Sequence, residues 1–342
     1  MSTHRALVLH ARDKPLVLET LPRPITSTGD AIVRILVADI VPYMGEVISN
    51  KRPYPLSLPM TPGNTAIGRI YEVSPDSVVL TPGQLVFCDI TIRARDDPSV
   101  SILYGIHGGG YPAAQKLMDG VWRNATYAEY TRFPLENLYP LNEDLLLRRL
   151  GYSINDLCLM PAYLVPFGGL SEVNVKPGEV VIIAPATGRY GGAAVGVALA
   201  MGAIVIAAGR NMAALKKLKD IHCTNRLRTV QVTGDGAADM ELFRGAAGRP
   251  NGADVYLDLS PPAAQESSLL ASGIRSLRRF MYDRQHVLQI IQMIESGLLP
   301  LGHKSGITLT EEFGLQEIEG ALEAAGKLSG WGGHVVLKPS AE

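Results

Sequence analysis

A short apolar segment that runs directly into a cluster of glycines is the feature that most constrains the fold of this chain. Residues 179–195 read Glu-Val-Val-Ile-Ile-Ala-Pro-Ala-Thr-Gly-Arg-Tyr-Gly-Gly-Ala-Ala-Val. The continuously apolar part, residues 180–184, is typical of a strand buried on both faces of a parallel sheet. The Ala-rich residues 192–201 predict a helix. A buried strand, a glycine turn and a helix in this order indicate a doubly wound α/β domain.

The residues that follow continue this alternation. Further strands are predicted over residues 203–208, 229–232 and 254–259, and further helices over 212–219 and 240–246. Strands that alternate with helices are joined by right-handed crossovers into a parallel sheet. The sequence therefore predicts a Rossmann-type sheet in the second half of the chain.

The first 150 residues have a different pattern. Short β-rich runs, separated by Pro and Gly, cover residues 6–10, 16–21, 31–37, 67–73, 84–89 and 126–133, and residues 89–124 predict a long irregular segment. At 342 residues the chain exceeds the usual size of one hydrophobic core. We expect a first domain over residues 1–150, a cofactor domain over 151–298, and a tail, 299–342, that returns to the first domain.

The glycine turn also predicts a ligand. Glycines let the backbone approach a pyrophosphate, and the free amides and dipole of a helix N-terminus favour an anion. Pro185 replaces the first glycine of the usual G-x-G-x-x-G pattern, so a tight turn without a ligand is the alternative. The candidate cofactor-binding residues at this turn are Thr187, Gly188, Arg189, Tyr190 and Gly191.

The end of the second predicted strand indicates which dinucleotide is bound. NAD sites commonly place Asp or Glu there, to accept hydrogen bonds from the ribose. This strand ends Ala-Ala-Gly and continues into Arg210 and Asn211, without an acid. An Arg can pair with the 2′-phosphate of NADPH. We therefore favour NADPH over NADH, with Arg210 and Asn211 as candidate contacts; a solvated surface charge is the alternative for Arg210.

Four motifs together resemble those of the medium-chain dehydrogenase/reductase superfamily. They are residues 62–68 (Pro-Gly-Asn-Thr-Ala-Ile-Gly), 126–130 (Thr-Tyr-Ala-Glu-Tyr), 175–179 (Val-Lys-Pro-Gly-Glu) and 294–297 (Ile-Glu-Ser-Gly). The resemblance implies a GroES-like β-barrel catalytic domain built from both termini, with a Rossmann domain inserted. It also implies an oxidoreductase that moves a hydride between NADPH and a small carbonyl, quinone or enone. A metal-free alcohol dehydrogenase working in the oxidative direction and a catalytically degenerate nucleotide-binding homologue remain alternatives.

The resemblance also bears on metal. Zinc-dependent members hold the ion with a Cys, a His beside a Glu, and a second Cys. The corresponding positions here are Val41, Asn64 with Thr65, and Pro161, and Val, Thr and Pro offer no side chain suited to zinc. We therefore expect no zinc.

Without a metal, a protein group must polarise the substrate oxygen. Tyr43 stands two residues after Val41, where the family often has a Ser or Thr in a proton relay. A phenol there can donate a hydrogen bond to a developing oxyanion and then a proton. A packed aromatic side chain is the alternative. Asn64, as a neutral donor, and Tyr163 are the other two catalytic candidates.

The sequence departs from the family after residue 259. Residues 263–277 predict a helix, and residues 278–282 then lead to the next predicted helix, 285–296, without an apolar strand. One or two strands of the Rossmann sheet are thus expected to be missing, which leaves the family's edge-to-edge dimer in doubt. A deletion, a misread gene and a naturally shortened homologue are the three explanations. A final helix and strand are predicted over residues 314–327 and 334–337.

The charge and cysteine content exclude several classes of protein. A net charge of −1 gives no electrostatic reason to expect nucleic acid or an anionic membrane, and no apolar run approaches the ~20 residues of a membrane helix. Cys88, Cys158 and Cys223 are too scattered for a disulfide framework, and we interpret them as buried apolar side chains. The first residues lack the pattern of a signal peptide. We expect a cytoplasmic protein.

Overall fold

The computed structural model describes residues 2–260, 275–277, 282–328 and 330–340. The chain divides into two compact units. The first unit consists of Met1–Cys158, Leu309–Leu328 and His334–Glu342, and the second consists of Leu159–Thr308 and Ser329–Gly333. Both chain termini therefore belong to the first unit.

The first unit is built mainly from short strands. Its elements are β1 (Thr3–Val8), β2 (Val17–Pro22), β3 (Asp30–Asp39), α1 (Met44–Ile48), β4 (Ala66–Val73), β5 (Leu85–Cys88), β6 (Thr91–Arg93), β7 (Ser101–Leu103), α2 (Pro112–Gly120), β8 (Tyr130–Pro134), β9 (Leu138–Pro140) and α3 (Ile154–Leu157). The returning part of the chain adds three elements, which are numbered below after those of the second unit.

The second unit alternates strands with helices. Its elements are α4 (Met160–Glu172), β10 (Val180–Ala184), α5 (Arg189–Ala200), β11 (Ile204–Gly209), α6 (Met212–His222), β12 (Leu227–Gln231), α7 (Gly236–Ala247), β13 (Val255–Asp258), β14 (Arg275–Leu277) and α8 (Arg284–Glu295). The chain then returns to the first unit with β15 (Leu309–Gly314), α9 (Ile318–Lys327) and β16 (Gly333–Lys338).

An antiparallel sheet organises the first unit. Its strand order is β15-β16-β3-β4-β5-β9, and β8 also pairs with β3. The neighbours β3 and β4, β4 and β5, and β3 and β16 run antiparallel. Strand β3 is central to this sheet because it pairs with β4, with β8 and with the C-terminal β16. This pairing joins the two ends of the chain in one sheet.

A parallel sheet organises the second unit, in the order β12-β11-β10-β13-β14. Strand β10 lies in the middle and is buried on both faces: Val181 and Ile183 are fully buried on one face, and Val180 and Ile182 are buried on the other. The continuous apolar run of β10 thus reflects its central position, as predicted.

The prediction for residues 263–277 is wrong at its C-terminal end. Arg275–Leu277 is not helical but forms β14, which pairs parallel with β13. A fifth parallel strand therefore follows β13, where the sequence indicated none. Residues 261–274 and 278–281, on which the rest of that prediction falls, lie outside the described residues.

The prediction of an irregular segment over residues 89–124 is also wrong. This segment contains the antiparallel pair β6 and β7 and the nine-residue helix α2, which begins at Pro112. Proline suits this position because the first amides of a helix have no acceptor within the helix, so the N–H that proline lacks is not needed there. The two strands have three residues each, too few to show an alternating pattern.

The three cysteines have free thiols but do not share one environment. Cys88 and Cys158 are buried, whereas Cys223 is exposed. Cys223 ends α6 with a left-handed backbone conformation (φ 42°), so its interpretation as a buried apolar side chain is wrong. In the part of the chain that the structure describes, no helix is long and apolar enough to cross a membrane.

Candidate active site

The glycine turn lies between the central strand β10 and helix α5. Gly188 precedes the helix in an extended conformation, and its carbonyl accepts the first helical hydrogen bond from Gly192 N at 2.8 Å. Gly188 is thus the N-cap residue of α5. No side chain caps this helix, whereas α6 and α7 carry side-chain caps. The N-terminus of α5 can thus offer amides to an anion.

The glycines of the turn serve different purposes. A Cβ on Gly191 would overlap the Pro185 carbonyl oxygen and lie 2.8–2.9 Å from the Ala186 C and Cα atoms. All of these are backbone atoms, so Gly191 is required for the close contact between the helix and the turn. A Cβ on Gly188 would meet no atom within 4 Å. Gly188 thus borders open space on the side where a phosphate is expected.

The end of β11 lies beside the turn. A Cβ on Gly209 would be 3.3 Å from Thr187 Cγ2, which brings the two loops together. Arg210 follows, with an exposed side chain that makes no hydrogen bond or ion pair to the described residues. Asn211 uses its Oδ1 atom to cap α6, accepting from Ala214 N at 3.1 Å. The structure therefore gives Asn211 a local role in the helix and leaves the Arg210 guanidinium in solvent.

Trp331 is a neighbour of the turn that the sequence did not indicate. Its amide donates to Thr187 O at 2.8 Å, and its indole nitrogen donates to Ser305 O at 2.8 Å. A Cβ on Gly192 would lie 2.8 Å from Trp331 Cβ and would overlap the indole ring. The tryptophan thus packs directly against the first turn of α5. The only hint in the sequence was the glycine on each side of Trp331, which is typical of a tight turn.

Tyr163 also belongs to the second unit, on α4. It is 1% exposed, and its ring packs edge-on against Trp331 with centroids 5.9 Å apart. Its hydroxyl donates to Ser305 Oγ at 2.7 Å, and Ser305 donates to Gly302 O at 2.9 Å. This chain of hydrogen bonds fixes the Tyr163 hydroxyl inside the unit.

In the first unit, two of the sequence motifs meet at Asn64. The Thr126 hydroxyl accepts from Asn64 N at 2.9 Å and donates to Asn64 O at 2.5 Å. Asn64 is 5% exposed, and its Oδ1 atom accepts from Thr65 N at 2.8 Å. The amide nitrogen Nδ2 makes no hydrogen bond to any described residue. Asn64 is thus held by its backbone and presents a neutral N–H donor.

Tyr43 is half-buried at the start of α1. Its ring lies 6.4 Å from that of Tyr54, edge-on, and the Arg52 guanidinium lies 4.5 Å from its centroid. Tyr54 in turn packs against His107 at 4.5 Å. The sequence did not indicate that Arg52, Tyr54 and His107 cluster around Tyr43, because these contacts link different loops.

The first unit also contains a buried pair of polar residues, Asp39 and His334. His334 Nε2 and Asp39 Oδ1 are 3.1 Å apart, and both residues are 0% exposed. Tyr127 donates its hydroxyl to Asp39 O at 3.3 Å. Burial raises the pKa of the Tyr127 hydroxyl well above its usual range, and Asp39, Cys158 and Tyr43 add to this effect. Tyr127 therefore stays protonated and donates.

The positions that match the zinc ligands of the family hold no set of metal-binding atoms. Val41 is buried in the core of the first unit, and the Thr65 hydroxyl lies 3.4 Å from Asn64 Oδ1. Among the described residues, no group of three or more His, Cys, Asp and Glu side chains is arranged to hold a metal ion.

No family model matches the sequence, and no curated protein matches it either. Solved structures do match. A cobalt- and zinc-bound thermostable alcohol dehydrogenase from Pyrobaculum aerophilum is 19% identical with a TM-score of 0.71, over 99% of this chain and 100% of that chain. An NAD-dependent alcohol dehydrogenase is 20% identical with a TM-score of 0.74, over 98% and 100%. A protein assigned as a zinc-binding dehydrogenase from Sinorhizobium meliloti 1021, bound to NADP, is 16% identical with a TM-score of 0.73, over 99% and 100%.

These similarities define the fold. The chain combines a GroES-like barrel domain with a Rossmann domain, as alcohol dehydrogenases do, and the predicted fold class is confirmed. This is the fold that the resemblance of the four motifs implies. Proteins of this fold include NAD-dependent, NADP-bound and metal-bound examples.

Proposed function

We propose that this chain is a cytosolic, zinc-independent oxidoreductase that transfers a hydride between NADPH and a small carbonyl, quinone or enone. The observation that carries the proposal is the uncapped glycine turn between β10 and α5, in a fold shared with NAD-dependent and NADP-bound dehydrogenases. A metal-free alcohol dehydrogenase acting in the oxidative direction and a nucleotide-binding homologue without catalysis are the alternatives that the experiments below distinguish.

The residues around the turn fit a dinucleotide phosphate. The first turn of α5 has no side-chain cap, and the position beside Gly188 is open. The amides and dipole of such a helix end favour an anion. Arg210 follows the neighbouring strand and offers a guanidinium for the 2′-phosphate that distinguishes NADPH from NADH. When bound, the cofactor supplies or accepts the hydride.

Asn64 and Tyr43 are our candidates for the groups that stabilise charge on the substrate oxygen. Because Asn64 Oδ1 accepts from Thr65 N, the Nδ2 group is oriented as the donor. The Tyr43 phenol can donate a hydrogen bond and then a proton. Tyr163 is a weaker candidate because its hydroxyl already donates to Ser305.

We propose that the reaction does not use zinc, because the residues present do not fit the metal. Zinc sites in proteins use thiolate, imidazole or carboxylate groups. Val41 and Pro161 have no donor atom in their side chains, and the Asn64 amide and Thr65 hydroxyl are neutral groups outside that set. The substrate oxygen must therefore be stabilised by hydrogen-bond donors of the chain.

An activity screen tests this proposal. Purified protein is mixed with NADPH and a panel of aldehydes, ketones, quinones and enones, and NADPH absorbance is followed. We expect turnover that survives treatment with a chelator. Asn64→Ala and Tyr43→Phe should each lower kcat by roughly 10²-fold or more if the residue donates in the transition state. Tyr54→Phe, in the same aromatic cluster, is the control and should retain activity.

Three results, from elemental analysis, from an assay of alcohols with NADP and from the screen itself, would count against the proposal. About one zinc per chain, lost together with activity on chelation, would show that the reaction depends on metal. Turnover of alcohols with NADP, without turnover of the carbonyl panel with NADPH, would favour the oxidative alternative. Tight NADPH binding without turnover on any member of the panel would favour a nucleotide-binding protein that has lost catalysis.

The choice of cofactor is tested separately at Arg210. Arg210→Ala should weaken NADPH binding by roughly 1–3 kcal/mol, the range for a charge-assisted hydrogen bond, and should leave NADH binding nearly unchanged. Calorimetric titration with each cofactor measures both affinities. Arg244→Ala is the control, since Arg244 is an exposed cation on α7 that pairs with Glu241. Equal losses for NADPH and NADH would mean that Arg210 does not contact the 2′-phosphate.

A further inference from the structure

A cavity of about 440 Å³ opens in the first unit and is lined by residues of that unit alone. Its walls come from the end of β2, the loop that follows it, strand β8 and the loop before that strand. A volume of this size lies within the range of small-molecule sites in proteins. None of the residues assigned above to the cofactor or to catalysis lines it.

One wall of the cavity carries a cation without an acidic partner. The Arg23 guanidinium lies over the Tyr71 ring, 4.2 Å from its centroid, and 5.3 Å from the centroid of Tyr130. The two rings hold the guanidinium in place through cation–π contacts. Its side chain makes no hydrogen bond or ion pair to the described residues. Its N–H groups therefore remain available to an anion.

A second guanidinium lines the same cavity. Arg132 donates to Ser27 Oγ at 3.2 Å, and its Nε atom is 3.7 Å from Asp30 Oδ2. This ion pair compensates much of the Arg132 charge. Asp30 itself does not line the cavity, and no Asp or Glu among the described residues does. The charged side chains that line the cavity are thus the two guanidiniums, and Glu129, which acts on His4, lies outside the lining.

Two neutral groups add donors. His4 is 7% exposed, and its Nδ1 atom accepts from Tyr130 N at 3.3 Å, so the neutral ring carries its proton on Nε2. Asn124 Oδ1 accepts from Thr61 N at 3.0 Å, which leaves its Nδ2 group as a donor. Neither His4 Nε2 nor Asn124 Nδ2 makes a hydrogen bond to any described residue. His4 and Asn124 therefore add two donors to the polar side of the cavity.

Much of the remaining wall is apolar, beside the hydroxyl-bearing residues Thr61, Tyr104 and Thr131. Ile25 and Val121 line the cavity and are 78% and 47% exposed. Leu21 and Ala125 continue the apolar surface inward. A ligand that fits the whole cavity must have an anionic head for the donors and a hydrocarbon body for this wall.

We propose that this cavity is a second ligand site, which binds a small carboxylate with an apolar tail. The carboxylate accepts from the N–H groups of Arg23 and His4, and the tail covers Ile25 and Val121. The site is separate from the proposed oxidoreductase reaction and requires neither NADPH nor turnover.

Calorimetric titration of the full chain with octanoate, in the absence of any nucleotide, tests this inference. We expect saturable binding of one octanoate per chain. Octan-1-ol has the same tail without the charge, and it should bind at least about tenfold more weakly because a charge-assisted hydrogen bond to Arg23 is lost. Equal affinity for the acid and the alcohol, or no saturable binding of octanoate, would overturn the proposal.

Variants locate the site. Arg23→Gln should weaken octanoate binding about tenfold or more, and Ile25→Asp should do the same by placing a negative charge at the exposed mouth. The Ile25 side chain is largely in solvent, so its replacement does not disturb the fold. Arg148→Gln is the control, since Arg148 has a 77% exposed side chain and does not line the cavity. Unchanged octanoate affinity in both Arg23→Gln and Ile25→Asp would place the binding elsewhere.

Discussion

Gly191→Val should abolish NADPH binding. The new Cβ would overlap the Pro185 carbonyl and crowd the Ala186 backbone, and neither can rotate away as a side chain would. The turn must therefore shift, which displaces the amides that a pyrophosphate would contact. Overpacking of this kind costs about 1–3 kcal/mol of stability in addition to the loss of binding. NADPH titration measures the binding, and near-UV circular dichroism checks that the protein remains folded.

Gly188→Ala is the matched control for this prediction. Gly188 has an ordinary extended conformation (φ −80°, ψ 172°), and a Cβ there would meet nothing within 4 Å. The free protein should keep its melting temperature, and any loss of NADPH affinity would come from the ligand's own approach to that position. Unchanged NADPH affinity in Gly191→Val would mean that the cofactor does not bind at this turn.

His334→Ala should strongly destabilise the first unit. His334 and Asp39 are fully buried and hydrogen-bonded at 3.1 Å, so removing the imidazole takes this partner from a buried carboxyl group and leaves a cavity. The two effects together cost on the order of 3–5 kcal/mol. Because His334 lies on β16 and Asp39 on β3, the loss also weakens the contact between the two ends of the chain.

The two tryptophans allow the stability of the first unit to be measured separately. Trp122 belongs to the first unit and Trp331 to the second, so in a Trp331→Phe background the fluorescence of Trp122 reports on the first unit. Urea unfolding should then show a clearly lower midpoint for His334→Ala. Lys338→Ala, on the same strand, removes a partly exposed ion pair with Glu312 and should cost at most about 1 kcal/mol. Equal midpoints for the two variants would show that the buried pair does not stabilise the sheet.

The parallel sheet was predictable because its signal is local. A strand buried on both faces must be apolar at every position, and residues 180–184 meet this condition within five residues. The glycine turn is equally local, since the strand, the turn and the first helical turn are contiguous. The candidates Thr187, Gly188, Arg189, Tyr190 and Gly191 therefore occupy one place in the structure, as their order in the chain requires.

Strand β14 could not be predicted from a local sequence pattern. Its residues Arg-Ser-Leu have no apolar run and no alternation, and they belong to the sheet because their backbone pairs with β13. Cys223 is similar, since its exposure follows from its position at the end of α6 and not from its residue type. Pairing and exposure depend on neighbours that are distant in the sequence.

The sequence by itself determined the order of the elements from β10 to β13, the position of the glycine turn and the residues at the positions compared with the zinc ligands, because each depends on residue types within a short window. Tertiary structure alone decided which side chains meet. Asp39 and His334 are 295 residues apart, Tyr163 and Ser305 are 142 apart, and the pairing of each follows from sheet and helix packing that no local pattern encodes. The same packing gathers Arg23, His4 and Asn124 around one cavity, since hydrogen bonds and burial act over ångströms in space rather than along the chain.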